Sequence, residues 1–316
     1  MKKKISLADR LSCVPTIVNQ ESSAGGHSTE DVAGPLFSVI SPPMEIENRT
    51  GVTVESTEIQ SEFLERPVKV DFYLPLHIEQ PEEMSLLLIN DGQDLVTMGF
   101  DKLLDGLHRE KLIRPLLCVG IHCGDDRKNE YGMTASVDYK GRGARAQQYN
   151  QFIFEELLPH IYGLYALQSL KEKAFAGFSL GGLSALDIVW NNPGVFQKAG
   201  VFSGSLWWRI KDQTEKDFNE SNDRLMHRQI RKGQHHPGLK FFFQCGENDE
   251  LEDRNRNGVI DSIDDTIDVM RELLAKGYLE GKDMHYLQLP DGKHDVASWA
   301  RSMPAFLQWG WGREEV

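Results

Sequence analysis

The sequence predicts an α/β fold built on a mainly parallel, doubly wound sheet, and three observations carry that expectation. Short continuous apolar runs, each suited to a strand buried on both faces, alternate with helical patterns. Two alternating segments near the start read as half-buried antiparallel strands. A glycine-flanked serine joins one of the apolar runs directly to a helix.

Taken in order, residues 1–50 are poorly patterned, with a Ser-, Gly- and acid-rich stretch from Gln20 to Gly34 and a closing Ser41-Pro42-Pro43. They predict a tail that contributes little core, ahead of one domain over 51–316. Val52–Gln60 and Val68–Leu74 alternate apolar with polar residues across a connection of hairpin length. The runs at 85–90 and 116–121, a third around Phe175, then 195–202, 239–244 and 284–289 supply the remaining strands. Helical patterns fall between them at 97–110, 144–158, 182–191 and 263–276, which places helices on both faces of the sheet.

Composition narrows the partners. The 316 residues carry a net charge of −13 and a pI near 5.3, which argues against nucleic acid or an anionic membrane surface. No apolar run approaches the length of a membrane span. Met1-Lys2-Lys3-Lys4 begins like a signal peptide, but Ile5 to Arg10 lacks the apolar segment that should follow, so a cytoplasmic protein is expected. Cys13, Cys118, Cys123 and Cys245 have no zinc-type spacing and read as free thiols of a reducing compartment.

The chemistry begins at Gly177-Phe178-Ser179-Leu180-Gly181, between a predicted strand and helix. A serine on so sharp a turn needs neighbours without side chains two residues before and after it, and Gly177 and Gly181 meet that need. Ser179 is therefore the expected nucleophile. It requires a base, and the base requires an orienting carboxylate, in the chain order serine, acid, histidine. Of the histidines after Ser179, His294 alone lies in a loop directly after the last predicted strand. His285 falls within that strand, and His235 and His236 lie in a polar connector. The acid is expected after the strand at 239–244, where Glu247, Asp249 and Glu250 compete. Asp249 is favoured, then Glu250, then Glu247, and spacing alone does not separate them. Two backbone N–H groups should hold the developing oxyanion: that of Leu180, and that of Gln93 in the turn Asp91-Gly92-Gln93.

These residues carry a family resemblance. Asp91-Gly92-Gln93, the Gly-Phe-Ser-Leu-Gly-Gly elbow, Val201-Phe-Ser-Gly-Ser-Leu-Trp-Trp208 and Gly292-Lys-His-Asp295 with Trp299 resemble the putative esterase (esterase D-like) family. That family includes feruloyl and acetyl-xylan esterases, ferric enterobactin esterases and mycolyltransferases. The resemblance covers roughly residues 52–310. It implies an α/β-hydrolase fold and ester hydrolysis through Ser179, His294 and an acid. In several members that acid lies three residues past a loop glycine, which lands on Asp249. Lys293 departs from the usual Gly-Gly-His-Asp.

A second constellation runs from Asp253 to Asp264. Asp253, Asn255, Asn257, Asp261 and Asp264 occupy positions 1, 3, 5, 9 and 12 of a calcium-type loop, with Gly258 at position 6 and the Val259 carbonyl at position 7. The competing reading is an Asn/Gly turn capping the next helix. Trp207 and Trp208 follow a strand end and read either as an apolar or sugar-stacking wall for the substrate or, equally, as core or an interface. Arg127, in a charged segment that lines the cleft in relatives, is expected to meet a polar acyl or sugar group.

The expected function is a soluble serine esterase that forms an acyl-enzyme on Ser179 and needs no cofactor beyond a possible structural Ca2+. Its substrate would be a small-molecule or carbohydrate ester such as an acylated sugar or a siderophore-like ester. The alternatives are acyl transfer by the same triad, or a non-catalytic calcium- or carbohydrate-binding protein on a hydrolase scaffold. Fold does not choose the substrate.

Overall fold

The computed structural model describes residues 51–76, 83–165, 167 and 169–313, so the predicted N-terminal tail lies outside the described residues. Eight strands form one sheet in the order β1-β2-β4-β3-β5-β6-β7-β8. They are β1 Val52–Ser61, β2 Arg66–Pro75, β3 Ser85–Asn90, β4 Leu116–Ile121, β5 Lys173–Phe178, β6 Lys198–Phe202, β7 Lys240–Asn248 and β8 Met284–Lys293. β1 pairs with β2, and β2 with β4, antiparallel. Every pairing from β4 through β3, β5, β6 and β7 to β8 is parallel. The α/β-hydrolase fold expectation of an antiparallel start on a parallel sheet holds.

Side-chain alternation divides the core in two. Leu86, Leu88, Phe241 and Phe243 pack on one face beneath helices Leu180–Asn191, Leu225–Lys232 and Asp261–Lys276. Leu87, Ile89 and Phe242 pack on the other, beneath Phe100–Arg109 and Val296–Trp311. β3 is uniformly buried because helices cover both its faces.

Four boundaries differ from the sequence expectation. The helix expected at 97–110 is two helices, Gly92–Met98 and Phe100–Arg109, broken where Gly99 adopts a left-handed φ of 63° and caps the first. The pattern at 144–158 is a composite: Ala146–Gln151, a π-helical stretch Phe152–Leu157, and Leu158–Leu164. β6 begins at Lys198 rather than 195, because Val195 and Phe196 close a turn onto the Asn192 carbonyl. Helix Val296–Trp311 was not anticipated. Pro304 and Gly310 interrupt its pattern, yet the Asp295 side chain caps its start by accepting the Ser298 N–H at 2.8 Å.

β3 lies between β4 and β5, and the connections leaving it and returning to β5 run over opposite faces of the sheet. The carboxyl ends of β3 and β5 therefore border a crevice where strand order reverses, the position at which open α/β sheets bind ligands.

Phe306 is fully buried and touches the rings of Phe202, Phe242, Trp309 and Trp311. Phe306→Ala should cost about 3–5 kcal/mol, read as a lower denaturation midpoint with an unchanged slope. A cost below about 1 kcal/mol would mean that this second core collapses around the loss.

Candidate active site

Ser179 stands between β5 and its helix at φ 53°, ψ −120°, a conformation a non-glycine residue holds only when its surroundings impose it. Its own N–H donates to the Phe202 carbonyl at 2.9 Å, and its carbonyl accepts the Ser205 N–H at 3.0 Å. The flanking glycines are a steric requirement. A Cβ on Gly177 would lie 2.4 Å from the Gly181 carbonyl oxygen, and one on Gly181 would lie 2.7 Å from Asp91 Oδ2. Ser179 keeps partial access to solvent, with its Oγ 3.4 Å from Ser205 Oγ.

β7 ends at Asn248 and β8 at Lys293, so Asp249 and His294 each follow the carboxyl end of a strand, on neighbouring strands. The three candidate carboxylates lie in different surroundings. Glu247 is exposed and accepts from Gln288 Nε2 at 2.8 Å. Glu250 turns to the Ser262 N–H in the first turn of helix Asp261–Lys276, and burial pushes its pKa up to about 7. Asp249 lies close enough to His294 for each charge to act on the other. Its Oδ2 accepts the Gly246 N–H at 3.0 Å, while Oδ1 is buried with no hydrogen-bond partner. Burial raises the Asp249 pKa, and the Gly246 N–H, the nearby Ser203 hydroxyl and His294 oppose that rise.

His294 keeps solvent contact, with its ring edge-on to Trp299 at 5.4 Å. Crowding of the ring is nevertheless the largest influence on it, and with the charge of Arg127 it holds the pKa below 6.5, against the opposing pull of Asp249. No hydrogen bond directly joins Ser179, His294 and Asp249 in this structure; such bonds often close only around substrate. Trp299, to which sequence reasoning assigned no role, links the elbow, the His294 loop and the turn after β6. It stacks on Phe178 at 5.0 Å, contacts His294, and donates Nε1–H to Ser203 Oγ at 3.0 Å. The other histidines sit elsewhere: His285 stacks on Phe242, His235 and His236 pack near Tyr278 and Trp190, and His227 is buried against the Asp265 carbonyl.

The N–H groups of Gln93 and Leu180 both lie in first helical turns and have no carbonyl partner among the described residues. The Gln93 side chain accepts the Cys123 N–H at 3.2 Å. Arg127 is turned inward, its guanidinium paired with both oxygens of Asp91. Trp208 does not form a substrate wall. It is fully buried, with Gly132 and Gly143 against its ring and its Nε1–H on the Ser136 carbonyl. Trp207 is only partly buried. Arg142 lies 4.7 Å above its ring, and both border a cavity of about 220 Å³ shared with Tyr139, Arg209 and Glu250.

The loop at 253–264 gathers four of its expected side chains. Asp253 accepts the N–H groups of Asn257 and Gly258 at 3.1 and 2.9 Å, and Asn255 and Asn257 both donate to Asp264 Oδ2 at 2.8 Å. Asn257 Oδ1 accepts the Val259 N–H at 2.7 Å. Asp261 turns away to Arg254, accepting its N–H at 2.8 Å. Among the described residues no three His, Cys, Asp or Glu side chains converge as a metal site, so the donors here are two carboxylates and two amides. The described cysteines, Cys118, Cys123 and Cys245, are free. No helix among the described residues is long and apolar enough to cross a membrane.

Residues 61–309 match the sequence profile of the family described as "Putative esterase". Among solved structures, the chain resembles the enterobactin esterase of Shigella flexneri with 2,3-dihydroxy-N-benzoyl-glycine (TM-score 0.60, 18% identity, 81% of this chain). The chain spans only 58% of that protein's length. It also resembles a ferulic acid esterase (TM-score 0.60, 17% identity, 82% of this chain and 97% of that one). A third is an IroE-like serine hydrolase from Shewanella oneidensis (TM-score 0.60, 19% identity, 81% and 80%). These likenesses establish the fold. No curated protein matches the chain in sequence.

In an NMR titration the His294 ring should titrate below 6.5, and Asp249→Asn should lower the midpoint further by removing the charge that favours imidazolium. An unchanged midpoint in the variant would show that the two side chains are not coupled.

Proposed function

Because the chain belongs to the putative esterase family, whose structural neighbours are α/β-hydrolase-like esterases, we propose that it is a serine carboxylic ester hydrolase working through Ser179, His294 and Asp249. The observation that carries this reading is the Ser179 backbone at φ 53° on a glycine-flanked turn, with Asp249 and His294 delivered to the same sheet edge by β7 and β8.

In the proposed mechanism His294, neutral at pH 7 because its pKa is depressed, accepts the Ser179 proton as Oγ attacks the ester carbonyl. Asp249 Oδ1, buried without a partner, is available to the imidazolium that forms and fixes its orientation. The Gln93 and Leu180 N–H groups, at two helix N-termini, receive the oxyanion. The tetrahedral intermediate collapses by breaking the ester C–O bond, and His294 returns its proton to the leaving alkoxide. Water attacks the acyl-enzyme by the reverse assistance. Protonation of His294 at low pH removes the base, so activity falls with it. Acyl transfer to an alcohol uses the same intermediate and differs only in the nucleophile that resolves it.

The substrate class we favour is a small-molecule or carbohydrate ester, an acylated sugar or a siderophore-like ester, with the exposed part of Trp207 beside Arg142 and Arg209 offering a face for a ring. The free thiols at Cys118 and Cys245, both buried, suit a reducing cytoplasmic setting. We also assign Ca2+ to Asp253, Asn255, Asn257, the Val259 carbonyl and Asp264. There the ion would add oxygen coordination to a loop that directly follows the acid and leads into helix Asp261–Lys276.

A short p-nitrophenyl ester should be hydrolysed by the wild type, and Ser179→Ala should lose at least about 10³-fold in kcat while keeping its circular dichroism. Equal rates in the two proteins would overturn the nucleophile. Saturating Ca2+ should raise the melting temperature and a chelator reverse the change; an unmoved transition under both would remove the metal from the scheme.

A further inference from the structure

The guanidinium of Arg127 reaches both halves of the proposed oxyanion hole. Its Nε donates to Asp91 Oδ1 at 2.6 Å and its Nη2 to Asp91 Oδ2 at 2.7 Å. The same Nη2 donates to the carbonyl of Phe178 at 3.3 Å, one residue before Ser179. Asp91 is the residue that starts helix Gly92–Met98, and it does so in a left-handed conformation, φ 60°, ψ 46°. That turn aims the Gln93 N–H. The Phe178 carbonyl belongs to the peptide that leads into the Ser179–Leu180 elbow, which aims the second N–H. The carboxylate itself bears on the elbow helix, since a Cβ on Gly181 would lie 2.7 Å from Asp91 Oδ2.

The remaining contacts hold this clamp still. Tyr131 lies beneath the guanidinium at 5.1 Å, and its hydroxyl accepts the Asp91 N–H at 3.2 Å. Asn90 donates from Nδ2 to the Gly181 carbonyl at 2.8 Å and accepts a hydrogen bond from the Tyr149 hydroxyl. Asp91 is buried and Arg127 largely so, with side-chain exposures of 2% and 29%. A bidentate pair fixes direction as well as distance, which a lysine in the same place does not.

We propose that Arg127 is a positioning residue that registers the Gln93 turn against the Ser179 elbow through its bridge from the Asp91 carboxylate to the Phe178 carbonyl. It acts through other groups and does not itself contact the reacting ester. The inference rests on the hydrolase reading above and specifies which interaction keeps its two N–H donors aimed at one point. A small error in that aim is expensive, because displacement of a donor by about 1 Å costs on the order of 10² in rate.

The test compares wild type, Ser179→Ala, Arg127→Lys and Arg127→Ala on a short p-nitrophenyl ester. Arg127→Ala should lower kcat about 100-fold with KM within about two-fold of wild type. Added guanidinium chloride at millimolar concentration should restore part of that loss in Arg127→Ala and none in Arg127→Lys. Because Arg127→Ala leaves the Asp91 carboxylate uncompensated, Arg127→Lys, which keeps the charge, serves as the folded control and should show the same selective loss in kcat. A raised KM with kcat intact would make Arg127 a substrate ligand and overturn the proposal. Loss of activity in step with loss of folded signal, without guanidinium rescue, would make it a stabilising ion pair alone. Equal rates in wild type and Ser179→Ala would instead overturn the hydrolase reading beneath it.

Discussion

The backbone of Ser179 is the constraint around which the structure is arranged. A φ of 53° in a residue that carries a Cβ persists only if neighbouring groups leave no relaxed alternative. Those groups come from three directions. The Phe202 carbonyl takes its N–H, the Ser205 N–H takes its carbonyl, and two glycines let strand, turn and Asp91 close to distances that no side chain permits. Ser203 repeats the device on the adjacent strand, with φ 44° and its N–H on the Gln244 carbonyl. Successive strand ends thus hand backbone hydrogen bonds sideways, β7 to β6 and β6 to β5.

The charges around the elbow follow from how deeply each strand end is covered. Asp249 sits just past a strand that is buried through Gly246, deep enough for burial to raise its pKa while one N–H and an imidazole restrain it. His294 stands one residue past β8 at the rim. Trp299 shields part of it, and Arg127 discourages a proton. Glu250, next to Asp249 in sequence, points to a helix N-terminus and belongs to a different electrostatic environment. Adjacent carboxylates of similar intrinsic acidity are separated by where the chain turns.

The strands and the sharp turn at Ser179 were legible because both signals are local. An apolar run such as 85–90 announces burial on both faces, and glycines two residues either side of a serine announce a sharp turn. His294 was legible by elimination, since it alone among the later histidines follows a strand. What escaped notice depends on contacts between distant segments. Nothing near Arg127 says that it will grip Asp91, 36 residues earlier, and Trp299 meets Ser203 across 96 residues. The choice between wall and core for Trp208 stayed open for the same reason. Its neighbours in sequence are site-forming residues, but its neighbours in space are Gly132 and Gly143. Helix Val296–Trp311 was hidden by Pro304 and Gly310, whose local cost is outweighed by the aromatic surface the helix covers.

The division of the interior into two packed layers has a consequence for how such a protein can change. Ser179, Asp249 and His294 each follow a strand end, while cohesion resides in the layers above and below the sheet. The mostly exposed stretches at 210–222 and 251–260 follow the carboxyl ends of β6 and β7 and connect elements already secured at both ends. Their length and chemistry can drift without disturbing the packed interior. The molecule separates what must stay rigid from what can be renegotiated, and a new ligand preference requires rewriting only such stretches.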